Sequence, residues 1–486
     1  MKNDAISTAC EKRAGTNFLL VLAAYFLLQV VLRVTSPAVL DLDESEQVLA
    51  FQRLQLGYGS QPPLYSWLQW LMFSIFGINV FALSVLKNLL FFCTYLAMFY
   101  TARSLIGIGG AIIVSASLVL FPQIGWESQR DLTHSVLMTC MAALSLWCYD
   151  SLLRHPGKMR YALFGLLIGL GLQSKYNFAL FALGLVGASL LVREHRQALW
   201  NRKVWISVAV LILCLVPHGL WLLDHLDAAT SSTLEKMNGH DAGYISNVAR
   251  GFGSMVSATF LFATPLWIVY GWIYWRHRDQ AQARLDSPHA RFFLWFYLVA
   301  FACITALVLS GELTKIKDRW MQPILFLLPL AFFVIFPSLA RSTVCRSILR
   351  VAGVFAIIIL AGLSARAYFG KNTRAPYGEL SAQLMQRFPQ TKTLVASELT
   401  DAGNLYLHNP AWTVMLLPKI LQSQPVINED VLLIDSGAPP NKWLNSFLNA
   451  YPSSVVRQRG RLEIGRPQER QGAMSMEYAV VSVKEE

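Results

Sequence analysis

Asp41-Leu42-Asp43-Glu44-Ser45-Glu46 stands just past the first long apolar stretch, residues 18–34, and its reading decides the fold. Gly57-Tyr58-Gly59-Ser60-Gln61-Pro62-Pro63-Leu64 follows shortly after it. Carboxylates at the mouth of a membrane helix, then a Pro-Pro turn and a Trp-bearing amphipathic run, point to chemistry at a membrane surface. A transporter or flippase for a lipid-linked substrate is the alternative, but it would place its ionisable groups near the bilayer midplane.

Composition supports the membrane reading. The 486 residues are 55% hydrophobic and only 14% charged, whereas a soluble domain carries about 25% charged residues. The class is a polytopic α-helical membrane protein. Net charge is +12, yet from Lys371 onward twelve Lys/Arg face eleven Asp/Glu, so the basic excess lies in the apolar part and reflects topology. No basic stripe interleaved with aromatics occurs, which excludes a nucleic-acid partner. The seven cysteines all precede the tail and show no zinc-type spacing with histidine.

Apolar runs predict spans at 17–36, 80–102, 107–124, 132–152, 160–174, 177–193, 204–224, 252–275, 292–310, 322–340 and 351–369, about eleven in all. Alternate joints are rich in Lys and Arg, and the positive-inside rule puts those in the cytoplasm. The acidic segment, the Lys175 turn, the 226–250 loop and the 311–320 loop then face outside, and so does the tail. Residues 45–78 are only partly apolar. They read as two helices on the outer face, one over 46–56 and one over 63–76 bearing Trp67 and Trp70. Beyond residue 370 short strands at 393–396, 431–435, 461–464 and 478–483 alternate with helices at 377–388 and 441–450. The expected organisation is a membrane catalytic domain over 1–369 and a small α/β domain over 370–486. That tail carries no recognisable chemical motif, and is expected to shape acceptor access.

Ionisable residues gather at the outer helix ends: Asp43, Glu44, Lys87, Arg130, Asp131, Lys175, Lys315, Lys317, Asp318 and Arg319. One reaction suits carboxylates and cations together. A carboxylate removes the proton of an acceptor hydroxyl, the oxygen displaces a phosphate, and fixed cations hold the charge that develops on it. Plainer roles stand beside this. Asp131 is placed to cap or open the fourth span, Tyr176 to anchor at the interface, and Lys87 to snorkel. His134 and His218 fit satisfied helix histidines, and His240 is a candidate acceptor contact.

The order of these elements resembles the protein O-mannosyltransferase-like and aminoarabinose-transferase-like membrane glycosyltransferases of the GT-C class. The elements are Asp43-Glu44, Gly57-Tyr58 with Pro62-Pro63-Leu64, and Asp131, then Gly165, Gly169 and Gly171 before Ser174-Lys175-Tyr176, and finally Lys317-Asp318-Arg319-Trp320 with Pro323. The similarity spans roughly residues 17–340. It implies an inverting transfer of a monosaccharide from a polyprenyl-phosphate donor to a lipid or glycan acceptor, outside the cytoplasm of a bacterial inner membrane. Asp43 matches the general base and Asp131 a second acidic position, with Glu44 beside them. Lys175 and Arg319 match donor-phosphate positions, with Lys87, Arg130, Tyr176, Lys315 and Lys317 nearby. Relatives often carry Asp-His where this chain has Ser60-Gln61, which leaves the role of a divalent metal open. The wording and length are most similar to the branch adding sugars such as galacturonic acid to lipid A or lipopolysaccharide core, with membrane lipids as partners.

Overall fold

Long apolar runs become long helices, since only internal hydrogen bonding satisfies a backbone in hydrocarbon. The computed structural model describes residues 2–227, 229, 243–370, 375–427, 429–436, 442–465 and 474–483. Six helices among them are long and apolar enough to cross a membrane: Arg13–Thr35, Val80–Leu120, His134–Arg154, Val204–Asp224, Pro288–Leu309 and Ser342–Phe369. Two bent pairs bring the number to eight if each is one span.

The breaks have local causes. The run from Val80 is interrupted at Ile106-Gly107, where Gly107 takes φ 75°, the left-handed region that glycine favours. This break falls at the joint expected between 80–102 and 107–124. The single span expected over 252–275 is instead Tyr244–Phe262 and Thr264–Arg276, bent by 68°. Pro265 opens the second piece and has no N–H with which to continue the first. The run 177–193 ends at Leu191, and Arg193–Leu199 leaves it at 104°. The predicted spans 160–174 and 322–340 form shorter helices, Lys158–Leu172, Gln322–Leu325 and Leu328–Ile335.

The described chain divides into two compact units. The first comprises residues 1–29, 55–65 and 87–361. Its glycine-rich helix Lys158–Leu172 lies tight against Val204–Asp224. A Cβ on Gly165 would stand 2.2 Å from the Ser207 carbonyl oxygen, and one on Gly169 would stand 2.8 Å from the Cys214 Cβ. Small residues spaced by four allow this approach, which helices in lipid use in place of a hydrophobic drive.

The second unit comprises residues 30–54, 66–86 and 362–486, so the acidic segment shares a unit with the tail. Its sheet has the order β2-β1-β3-β5-β4. The strands are β1 Thr393–Ala396, β2 Thr413–Leu416, β3 Asp430–Asp435, β4 Val455–Ile464 and β5 Met474–Ser482. β1 runs parallel to β2 and β3, while β5 runs antiparallel to β3 and β4. Side chains alternate between two cores. Leu394, Leu432, Ile434 and Tyr478 join Leu40, Val48, Phe73, Leu83 and Leu405 on one side. Val395, Leu433 and Val481 join Ile420, Trp443 and Phe447 on the other. Burial on both faces explains why β1 and β3 read as nearly continuous apolar runs.

Candidate active site

In the first unit the elements marked by the resemblance meet at the turn after Leu172. The glycine-rich helix ends there, with Gln173 N–H donating to Gly169 O at 3.1 Å and Ser174 N–H to Gly171 O at 3.0 Å. Leu64 N–H, directly after Pro62-Pro63, donates to Gln173 O at 3.2 Å. Asn177 Nδ2 donates to Trp320 O at 3.2 Å. His218 bridges Leu56 O at 2.8 Å and the Tyr176 hydroxyl at 3.0 Å. A carbonyl only accepts, so the neutral ring carries its proton on Nδ1, and Nε2 accepts from Tyr176. His134 Nδ1 likewise faces Ser174 O at 3.3 Å. Both histidines are satisfied structural groups. Gly57 is needed for close approach, since a Cβ there would stand 2.3 Å from the Trp221 ring.

A second strand of contacts joins the segment before the His134 helix to the 317–322 loop. This segment is a π-helical turn, Gln123–Glu127, followed by Ser128–Arg130. Gln123 Nε2 donates to the Asp318 carboxylate at 2.6 Å, and Asp318 also accepts the Arg319 N–H at 2.8 Å. Lys87 is 3% exposed and does not snorkel. Its ammonium lies 3.5 Å from the carbonyl oxygens of both Gln129 and Asp131. Lys175 donates to the Ser135 hydroxyl at 2.7 Å. Asp131 neither caps nor opens the fourth span. It follows Arg130, and the long helix begins at His134 with Thr133 at its cap position.

The cations differ in their commitments. Arg130 pairs with Glu127 at 2.7 Å. Arg319 Nε and Arg130 Nε are buried donors with no hydrogen-bond partner among the described residues. A dry, unmatched N–H costs about 1–3 kcal/mol, so an anion accepting from it is favoured. Lys317 is half-buried, whereas Lys315 is exposed between buried Thr314 and Ile316 and is not drawn into this network. His240 lies outside the described residues. No group of three or more His, Cys, Asp or Glu that could hold a metal occurs among the described residues. Gln123, Glu127 and Ser135 escaped the sequence reading because uncharged or lone polar residues beside a helix start carry no distinctive spacing.

In the second unit the acidic segment is itself helical, Leu42–Ala50, with Asp43 and Glu44 in its first turn. The helix expected over 46–56 therefore starts earlier and stops at Ala50. Asp41 holds the N-cap position without making a cap bond. Its carboxylate is taken instead by the Arg366 fork, at 2.7 and 2.8 Å. Glu44 is 2% exposed and paired with Arg33 at 2.7 Å. Arg33 also donates to Pro37 O and Val39 O, fixing the chain between membrane helix and acidic helix. Asp43 is half-buried on the same turn.

The profile of the dolichyl-phosphate-mannose-protein mannosyltransferase family matches residues 60–221. The chain is 34% identical to the lipopolysaccharide core galacturonosyltransferase RgtB of Rhizobium johnstonii, covering 90% of this chain and 92% of that protein. The chain belongs to the lipopolysaccharide galacturonosyltransferases of the GT-C class. It is a membrane glycosyltransferase. A further member, the core galacturonosyltransferase RgtA of the same organism, is 31% identical over 84% of this chain and 83% of its own length. Among solved structures, ArnT from Cupriavidus metallidurans bound to undecaprenyl phosphate superposes with a TM-score of 0.62 at 13% identity, over 96% of this chain and 98% of that one. That likeness is one of fold.

Proposed function

We propose that this galacturonosyltransferase-family enzyme moves a galacturonosyl group from a polyprenyl-phosphate donor to lipopolysaccharide core or lipid A, with inversion, at the periplasmic face of the inner membrane. The observation that carries the donor side is the meeting of Leu56, Leu64, Tyr176, Asn177 and Trp320 around one turn. It draws Lys175 and the Arg319 loop, far apart in sequence, onto one scaffold. Lys87, Arg130, Lys175, Lys317 and Arg319 are the donor-phosphate cations in this reading. ArnT, of like fold, is described with undecaprenyl phosphate bound. The relatives' acceptors are lipopolysaccharide core by name.

Asp43 is the general base, by its match to the motif position and its place on a helix start held by neighbouring pairs. Glu44, engaged by buried Arg33, holds that helix in position. Asp131 supports the donor side through its carbonyl contact with Lys87. The tail, in this reading, supports the acidic helix and shapes acceptor access.

Purified variants assayed for transfer and donor affinity test the assignment. Asp43→Asn keeps size but cannot take the proton, so turnover falls about 10²–10⁴-fold while donor binding persists. Lys175→Ala and Arg319→Ala lower both donor binding and turnover. Transfer by Asp43→Asn at the wild-type rate removes Asp43 as base.

A further inference from the structure

At the opposite end of the same helices from the Lys175 turn, the first unit contains a cavity of about 680 Å³. Its volume falls within the ~300–1,000 Å³ of ligand pockets. Phe164, Ile168, Leu185 and Leu211 form its walls. The polar groups around it are already committed to one another. The Tyr161 hydroxyl donates to Leu199 O at 3.0 Å and accepts from Asn201 Nδ2 at 2.7 Å. Ser207 donates to Tyr161 O at 2.6 Å. Ser189 donates to Val186 O at 2.7 Å and accepts the Trp200 N–H at 3.3 Å. Tyr149 is bonded to the His195 ring at 2.8 Å. The hydroxyl donors of this mainly apolar interior are therefore spent within the protein, and the cavity suits hydrocarbon.

The rim has the opposite character. Arg202 lines the mouth and is exposed beside Lys203. Neither side chain has an ion-pair or hydrogen-bond partner among the described residues. They stand where the helix Val204–Asp224 begins, the end of a helix dipole that favours negative charge. Trp200 and Trp205, 44% and 69% exposed, flank the same mouth. Indoles prefer the headgroup level of a bilayer, and basic pockets between membrane helices take anionic lipid headgroups.

We propose that this cavity is a binding site for an anionic diacyl phospholipid, with an acyl chain in the apolar interior and the phosphate at Arg202 and Lys203. The site is separate from the glycosyl-transfer centre and does not depend on the assignment of donor or base.

Native mass spectrometry of the purified full chain, titrated with dioleoyl phosphatidylglycerol or dioleoyl phosphatidylcholine, tests it. Phosphatidylglycerol is expected to bind more tightly. Arg202→Gln and Lys203→Gln each weaken that preference about fivefold, the effect of one cation near a lipid surface. Val208→Trp, which fills the cavity, weakens both lipids together. Equal binding of the two lipids, or an undiminished preference in the Arg202→Gln/Lys203→Gln double variant, overturns the proposal. So does wild-type binding by a folded Val208→Trp. If Val208→Trp does not fold, the two surface glutamine variants decide the matter.

Discussion

The side chain of Asn404 bonds both polar groups of the Leu40 backbone: Oδ1 accepts its N–H at 2.8 Å and Nδ2 donates to its carbonyl at 3.2 Å. Leu40 directly precedes the acidic segment, and Asn404 lies on the tail helix Leu399–His408. Next to it, a Cβ on Gly403 would stand 2.4 Å from Ser45 Cβ, so the two helices touch where only glycine fits. Gln52 extends the grip, exchanging two 2.9 Å bonds with the backbone of Val414 in β2. The tail thus holds the helix that carries Asp43.

Asn404→Leu removes both bonds and leaves buried backbone groups unmatched. It is expected to destabilise the protein by about 1–3 kcal/mol, and to lower kcat with little change in donor affinity. Thermal unfolding and steady-state kinetics of the purified variant check this. Unchanged kcat would separate the tail from catalysis.

Arg33→Ala leaves Glu44 charged and buried without its guanidinium. Breaking a buried pair from one side costs about 3–5 kcal/mol. The partial exposure of Arg33 in this pair, 22%, moves the expectation to the lower end of that range. Glu44→Gln should be milder, and Arg33→Ala/Glu44→Gln should recover part of the loss. The melting temperatures of the three variants give the comparison.

Burial raises the pKa of Asp401, against the lowering effect of hydroxyl donors from Ser436 and Tyr377. The Tyr377 hydroxyl donates at 2.6 Å. A carboxyl with a raised folded pKa binds its proton more tightly when folded. Its stabilising contribution is therefore complete below the unfolded pKa, about 3.9, and is lost as pH rises through the folded value. Between those two values wild type should lose stability relative to Asp401→Asn as pH rises. Unfolding curves of both proteins through the mildly acidic range measure the difference in slope, and parallel curves would refute it. Since Asp401 is a packing group here, transfer by a folded Asp401→Asn is expected within a few-fold of wild type.

Gly57→Ala drives a methyl into the Trp221 ring. The loop must shift, and with it Leu64, whose N–H meets the Gln173 carbonyl. Both stability and donor affinity should fall, and Trp221→Leu in the same chain should restore part of each. Failure of the second change to rescue would place the defect elsewhere.

Much of the architecture was legible from local pattern. Strand β1 lies at 393–396 as read, and the helix expected at 377–388 is Tyr377–Arg387. The helix Leu399–His408 and strand β2 were not read. The first carries Gly403 at its centre, a residue that opposes helix by itself and is tolerated because Ser45 occupies the space. The second is four residues long and runs straight into another helix. The candidate cations were visible as charges the positive-inside rule disfavours, but Ser135, which Lys175 bonds, and Gln123, which bonds Asp318, were not.

The sequence by itself determined that the chain is membrane-embedded, which apolar runs form helices, and which charged motifs stand at their ends. Hydropathy and short-range spacing are additive along a chain, so they survive without a structure. Only the tertiary structure decided the partners. Glu44 is spoken for by Arg33, Asp41 by Arg366, and Leu40 by a residue 364 positions away. It also separated Lys315 from the Lys175 and Asp318 network. Whether a carboxylate can act as base or a cation can take a phosphate depends on what already touches it. Those contacts arise from packing between segments whose separation in sequence carries no trace of their meeting.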